Sequence, residues 1–132
     1  MKKRVIGLVS ALVIVVGIVG AAPAPLAAAS SACDARITAL YQSGKVIVYG
    51  GYAQCGTKTL KSVDITLARH EWWGWNPKKS WTYTAPSGSH YVGLTDHYSC
   101  TQSGTYLAVL NAKTTGIISD SVSATATAYF NC

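Results

Sequence analysis

The stretch SVDITLA, residues 62–68, alternates apolar and polar side chains. Successive side chains of a β-strand point to opposite faces, so Val63, Ile65 and Leu67 share one face and the polar residues share the other. The C-terminal stretch VSATATAYF, residues 122–130, has the same two-residue period. Both stretches therefore predict strands with one buried face and one face in water.

Turn-forming Gly, Pro, Asn and Ser residues interrupt the rest of the chain at short intervals. After the N-terminal segment no window keeps a 3.6-residue period, so we expect no helix longer than one turn. The predicted strands span residues 34–42, 45–55, 59–71, 80–85, 90–100, 104–113 and 122–131. Seven short antiparallel strands in about 100 residues indicate two sheets packed face to face, an all-β sandwich.

The stretch SGTYLAVLNA, residues 103–112, resembles the sixth strand of immunoglobulin-like domains. The resemblance implies a seven-stranded antiparallel immunoglobulin-like sandwich in which the Tyr106 hydroxyl bonds backward to the main chain. Ala108 stands where antibody domains usually have a cysteine, so their sheet-spanning disulfide is absent at that position. In general character the chain is also similar to small, Cys-rich exported β proteins of Gram-positive bacteria. Fold likeness alone implies no activity.

The N-terminus has the three-part pattern of a secretory signal peptide. MKKR is followed by eighteen uncharged residues, 5–22, and then by small residues, with the favoured cleavage site after residue 29. We therefore expect a signal peptide over residues 1–29 and a single domain over residues 30–132. The protein is expected to be secreted and extracellular. The alternative, an uncleaved N-terminal anchor, would hold it at the cell surface.

The charge of the chain is weakly positive once the signal peptide is removed. The full sequence carries a net charge of +6, and loss of Lys2, Lys3 and Arg4 leaves eight basic and five acidic residues, a net charge of +3. Because no run of basic residues remains, nucleic acid is not the expected partner. The charge is compatible with loose attraction to an anionic cell wall. We expect a monomer.

All four cysteines lie in the exported part, which predicts a framework of two disulfides. If residues 34–42 and 45–55 form a hairpin around Gly44, Cys33 faces Cys55, and both share a face with Ile37 and Tyr41. The remaining pair is then Cys100 with Cys132, both facing the core. A weaker alternative takes the motif SSAC, residues 30–33, as a lipoprotein signal that would modify Cys33.

Every tryptophan of the chain lies in HEWWGWNPKKSWTY, residues 70–83, which we predict to be a loop between the third and fourth strands. Exposed indole rings can stack on sugar rings, and loops of β-sandwiches often carry binding sites. The alternatives are a structural cap over the open end of the sandwich and contact with a membrane surface. Trp81 is expected in the core. The candidate binding residues are Trp72, Trp73, Trp75, Lys78 and Lys79.

We expect a non-catalytic binding module without a cofactor or metal. His70, Glu71, His90, Asp96 and His97 match no metal-ligand spacing, and no nucleophile motif is present. The favoured partner is a cell-wall or environmental polysaccharide. The alternatives are a secreted antagonist, either a membrane-active antibacterial protein or an inhibitor of another protein, and a structural surface protein without a small ligand.

Overall fold

The computed structural model describes residues 32–116 and 120–132, and within them the chain forms seven antiparallel strands. The strands are β1 (Cys33–Ser43), β2 (Val46–Cys55), β3 (Leu60–Glu71), β4 (Gly74–Thr84), β5 (Tyr91–Ser99), β6 (Gly104–Thr114) and β7 (Ser121–Phe130). Their number and order match the prediction, and only β4 differs greatly in extent. The predicted signal peptide lies outside the described residues.

The predicted alternation sets the buried face of β3. Val63, Ile65 and Leu67 are fully buried, whereas Asp64 and Thr66 on the opposite face are half-buried. On β7 the side chains from Val122 to Ala128 alternate between half-buried and exposed positions, and Phe130 is buried. The period of two therefore identifies the core face of both strands.

The strands form a three-stranded first sheet, β1-β2-β5, and a four-stranded second sheet, β4-β3-β6-β7. Apolar residues from both sheets form one core between them. The predicted all-β two-sheet architecture is thus confirmed. In constant-type immunoglobulin domains the fourth strand lies in the sheet of the first, second and fifth strands. Here β4 pairs with β3 instead.

The two long sides of the sandwich differ. On one side β1 lies against β7, and the side-chain amide of Gln42 donates to the Asn131 carbonyl over 3.0 Å. On the other side β5 and β4 are the edge strands of the two sheets. Because the second sheet has one strand more than the first, no strand within residues 32–116 and 120–132 fully covers the inner face of β4. This side is open, and it positions the candidate site.

Both predicted disulfides are present, Cys33–Cys55 and Cys100–Cys132. The first lies within the first sheet, and the second joins the end of β5 to the chain after β7, across the two sheets. Cys100 is buried but Cys132 is exposed, so the expectation that both face the core is wrong for Cys132. The disulfide of Cys33 also contradicts the alternative of a lipid-modified Cys33.

The register of the β1–β2 hairpin differs from the simple prediction because β1 contains a bulge. The turn lies at Gly44 and Lys45, with Ser43 opposite Val46, and the register shifts between Ile37 and Ala39. One extra residue in β1 brings Cys33 opposite Cys55. The same bulge reverses the faces of the residues between it and the turn. Tyr41 is therefore 51% exposed and does not share the inner face of Ile37 as expected.

The hydroxyl of Tyr106 donates to the Gln102 carbonyl, four residues back, at 2.6 Å. The backward bond expected from the immunoglobulin resemblance is therefore present. The ring is buried and lies 5.8 Å from that of Phe130. Burial, opposed by the nearby Arg69, raises the pKa of Tyr106 above its ordinary value. The phenol stays protonated and keeps donating at neutral pH.

Candidate functional site

Residues 70–83 do not form the predicted loop. They belong to a β-hairpin, here called the Trp hairpin, in which β3 runs to Glu71 and β4 begins at Gly74. The Gly, Pro and Lys residues of this segment suggested a loop. Pro77, however, lies on an edge strand, where its missing N–H is tolerated. The turn consists of Trp72 and Trp73, and Gly74 follows with φ of 139°, a conformation that favours glycine.

All four tryptophan side chains are accessible to solvent. Trp72 is 93%, Trp73 55%, Trp75 38% and Trp81 41% exposed. Trp81 therefore lies outside the buried core, so its expected core position is wrong. The alternative of a structural cap stays a prediction. The physical reason for the exposure of Trp81 is the unequal width of the two sheets, because among the described residues the first sheet has no strand that covers β4.

The four indoles do not form one continuous surface. Trp81 lies opposite Ile65 and shares the inner face of the second sheet, whereas Trp75 lies opposite His70 on the outer face. A register shift between Leu67 and Ala68 places a bulge in β4 that separates the two faces. Trp75 packs edge-on against His70 with 5.1 Å between ring centroids. Trp72 and Trp73 occupy the tip.

The exposure of the indoles predicts the fluorescence of the folded protein. Since all four rings reach solvent, we expect red-shifted tryptophan emission that acrylamide quenches almost as strongly as in the urea-unfolded chain. A Stern–Volmer comparison of the folded and unfolded protein measures this. Blue-shifted emission that resists acrylamide would place the rings in the core and contradict the described structure.

The tip of the Trp hairpin is anchored by an ion pair. Arg69 contacts Glu71 at 2.9 Å and also donates from Nε to the Ser103 carbonyl at 3.1 Å, in the connection between β5 and β6. The hydrogen bond from Arg69 is the main cause that lowers the pKa of Glu71, and the nearby charge of Lys78 acts in the same direction. Glu71 is therefore a carboxylate that is paired with Arg69.

Lys79 joins the two sheets at the open side. Its Nζ lies 3.1 Å from Oδ1 of Asp96 and donates to the His97 carbonyl at 2.9 Å. The candidate cation is therefore paired with an anion and is not simply a solvated turn residue. Contact of Lys78 or Lys79 with a ligand stays a prediction.

Asp96 also accepts a hydrogen bond from the core, because the hydroxyl of the fully buried Tyr49 donates to its Oδ2 at 3.2 Å. Burial, together with the adjacent Asp96, raises the pKa of Tyr49 far above its ordinary value. Burial alone would raise the pKa of Asp96. Hydrogen bonds from the His97 amide, Lys79 and Tyr49 outweigh this effect and lower it. Tyr49, Asp96 and Lys79 therefore form one network from the core to the open side.

This network predicts a pH dependence of stability. A carboxylate with a lowered pKa stabilises the fold fully above its unfolded pKa of about 3.9, and this contribution is lost as the pH falls through the folded value. We expect Asp96→Asn to lower the free energy of unfolding at about pH 7, and the difference from wild type to shrink towards about pH 2. Urea unfolding at both pH values measures it. A difference that is the same at both would show that the charge of Asp96 has no stabilising role.

The open side contains a cleft of about 390 Å³ between the edge strands β4 and β5. We call it the β4–β5 cleft; it is lined by Trp81, Tyr83, Pro86, Ser89, Tyr91, Val92, Gly93 and Leu94. The rings of Trp81 and Tyr83 lie 6.4 Å apart, nearly edge to face. The alternation of Trp81 and Tyr83 in the sequence predicts that they share one face of a strand. Their proximity to Tyr91 depends on how the two sheets are arranged, and the amino-acid sequence alone does not give that arrangement.

The described residues contain no cluster of three or more His, Cys, Asp or Glu side chains that could hold a metal ion. His70 packs edge-on against Trp75, and the ring Nδ1 of His90 lies 2.8 Å from the Lys58 carbonyl. Asp96 is paired with Lys79, which also donates to the main-chain carbonyl of His97. The side chains of His70, His90 and Asp96 therefore have structural partners, and exposed aromatic side chains dominate the candidate site.

Comparisons with known proteins show no family for this chain. No protein-family model and no curated protein matches it. Among solved structures, a CARDB domain of the PF1109 protein from Pyrococcus furiosus, in complex with di-metal ions, is 15% identical with a TM-score of 0.49, over 76% of this chain and 94% of that one. CsgH from R. palustris is 17% identical with a TM-score of 0.39, over 70% and 90%. The fold assignment rests on the strands and pairing described above.

Proposed function

We propose that the protein is an exported, non-catalytic binding module that contacts a cell-wall or environmental polysaccharide through the indole rings of the Trp hairpin. The observation that carries the proposal is the exposure of all four indoles on one pair of strands. Solvent-exposed aromatic surface is costly for a small soluble protein and commonly marks a binding site. Flat indole faces suit the apolar faces of sugar rings, and each N–H supplies one directed hydrogen bond.

Export is supported by the disulfides and by the sequence. Two disulfides indicate an oxidising setting, extracellular or periplasmic. Within residues 32–116 and 120–132, no helix has the length and hydropathy needed to cross a bilayer. The basic and apolar pattern of residues 1–29 supports secretion through a signal peptide. The bond from Tyr106 to Gln102 supports an immunoglobulin-like classification of the sandwich.

A binding role is favoured over hydrolysis by the carboxylates. Glycoside hydrolysis ordinarily needs two carboxyl groups facing each other across the substrate. Next to the aromatic surfaces, Glu71 is paired with Arg69, and Asp96 with Lys79 and Tyr49. The residues that line the β4–β5 cleft are aromatic, aliphatic or hydroxyl-bearing. This arrangement suits recognition of an uncharged surface.

Retention on insoluble polysaccharides tests the proposal. We expect the wild-type protein to be retained on at least one of chitin, cellulose and peptidoglycan, and at least one of the Trp→Ala substitutions in the hairpin to reduce retention severalfold. The variants are Trp72→Ala with Trp73→Ala, Trp75→Ala, and Trp81→Ala. Tyr129→Ala is the matched control, because Tyr129 is exposed on β7, the edge strand at the opposite end of the second sheet. Failure of the wild type to bind all three polymers, or equal retention of all hairpin variants, would refute the proposal.

The hairpin tip favours one alternative, contact with a membrane surface. Trp72 and Trp73 protrude at the tip of the hairpin, and the charge of Lys78 lies near Glu71. Tryptophan next to lysine suits the interface between headgroups and acyl chains. Dye leakage from phosphatidylglycerol vesicles, lost at high salt and in the Trp72→Ala/Trp73→Ala variant, would support this alternative over polysaccharide binding.

A further inference from the structure

We infer that the ligand binds in the β4–β5 cleft and not at the hairpin tip, and that the ligand is a neutral glycan chain. This inference rests on the proposed function and specifies its site and substrate class. The cleft volume of about 390 Å³ lies within the range of roughly 300–1,000 Å³ for small-molecule sites. The tip presents only two protruding rings. The cleft provides walls on two sides.

The main chain that carries the cleft walls is held in place before a ligand binds. The connection from β4 to β5 is held by three main-chain hydrogen bonds: the Ala85 amide to the Lys61 carbonyl at 2.9 Å, the Ser89 amide to the Pro86 carbonyl at 3.1 Å, and the Leu60 amide to the Ser89 carbonyl at 2.8 Å. Farther along the same strands, Lys79 bridges β4 to β5 through Asp96. A preorganised site loses less conformational entropy on binding.

The chemistry of the cleft suits an uncharged ligand with a flat apolar face and many hydroxyl groups. Trp81 and Tyr83 supply partly exposed rings, and the hydroxyl groups of Tyr83 and Tyr91 can exchange hydrogen bonds with sugar hydroxyls. The lining residues carry no ionisable acid or base other than the two phenols. The nearby charge of Lys79 is balanced by Asp96. Electrostatic complementarity therefore favours a neutral glycan over an anionic wall polymer.

A second pair of rings continues from the cleft onto the outer face of the first sheet. Tyr91 stacks on Tyr52 with 5.5 Å between centroids and an interplanar angle of 28°. Gly93 makes room for this stack, because a Cβ at Gly93 would lie only 3.1 Å from the Tyr91 hydroxyl oxygen. The cleft and this stack together present aromatic rings to more than one sugar unit, which favours a chain over a monosaccharide.

Titration with soluble oligosaccharides tests the inference. The probes are cello-oligosaccharides and N-acetylated chito-oligosaccharides as neutral chains, with dextran sulfate as the anionic comparison, and binding is measured by isothermal calorimetry. We expect the wild type to bind a neutral chain and Trp81→Ala to lose at least about tenfold in affinity, as for the central aromatic residues of binding sites. Trp81→Phe should recover part of the affinity. Tyr129→Ala should bind like the wild type, and Trp72→Ala/Trp73→Ala should lose less affinity than Trp81→Ala.

The outcomes separate this inference from the proposed function. If the wild type binds a neutral chain but the tip variant loses affinity while Trp81→Ala does not, the cleft assignment is overturned and the proposed function stands. Binding to dextran sulfate alone overturns the neutral substrate class. If no probe and no insoluble polysaccharide binds, both fail together. As a control, Trp81→Ala should unfold in urea like the wild type, which shows that its loss of affinity does not come from a loss of fold.

Discussion

Gly51→Ala is expected to lower the free energy of unfolding by about 3 kcal/mol or more, as for severe overpacking in a closely packed interior. A Cβ at this position would lie 2.1 Å from the Arg36 carbonyl oxygen and 3.0 Å from Cα of Ile37. Both obstacles are main-chain atoms of β1, so no rotation of a side chain relieves the overlap. To accept the methyl group, β1 must move away from β2 next to its bulge.

The matched control is Gly93→Ala, the same substitution on β5. There the nearest atom to the added Cβ is the hydroxyl oxygen of Tyr91, at the end of a side chain that can move. We expect a change within about 1 kcal/mol, as at other exposed positions. Urea unfolding of both variants measures the difference. Equal stabilities would mean that β1 does not approach β2 as closely as described.

Removal of the Cys100–Cys132 disulfide is the second change that we expect to lower the free energy of unfolding strongly. The bond joins residues 32 apart in sequence, and the chain-entropy estimate gives a loss of roughly 3.5 kcal/mol when such a loop is opened. That is a large fraction of the roughly 5–15 kcal/mol that stabilises a typical domain. We expect Cys100→Ala/Cys132→Ala to unfold at a much lower urea concentration than the wild type.

The Cys33–Cys55 disulfide provides the comparison. Its separation of 22 residues is only slightly shorter, and loop-closure entropy varies slowly with length, so Cys33→Ala/Cys55→Ala should lose nearly the same free energy. The two double variants are measured by urea unfolding beside the wild type. A free energy of unfolding unchanged in either variant would contradict the expected stabilisation by that bond.

The succession of strands along the chain and the disulfide pairs could be predicted because both depend on local period and parity. The alternation around Ile65 identifies the inner face without knowledge of any neighbour. Cys33 and Cys55 lie at nearly equal distances from the hairpin turn, so antiparallel pairing brings them close, and the bulge in β1 sets the final register. Cys100 and Cys132 follow strands that run in the same direction.

The bulges could not be predicted, and they changed the faces on which several aromatic side chains lie. The extra residue in β1 turned Tyr41 outward, and the bulge in β4 separated the faces of Trp75 and Trp81. A bulge depends on the pairing of two strands and leaves no mark in the period of one strand. Exposure of Trp81 depends on the absence of a covering strand, which is a property of the sheets as a whole.

The β4–β5 cleft could not be predicted from the sequence either. Tyr91 and Trp81 belong to different sheets and are brought together only by the arrangement of the edge strands. Likewise, pairing of Lys79 with Asp96 is a contact between sheets. The composition of residues 70–83 identified the aromatic surface, but the positions of its rings required the three-dimensional structure.

Acrylamide quenching of tryptophan fluorescence in the presence of a bound oligosaccharide tests most directly whether the exposed indoles contact a glycan. Measured on the wild type and on Trp81→Ala, a saturating neutral chain should shield part of the wild-type emission from the quencher, and this protection should be lost in the variant. Binding confirmed by calorimetry with no change in quenching of the wild type would place the glycan away from every indole and contradict the proposed site.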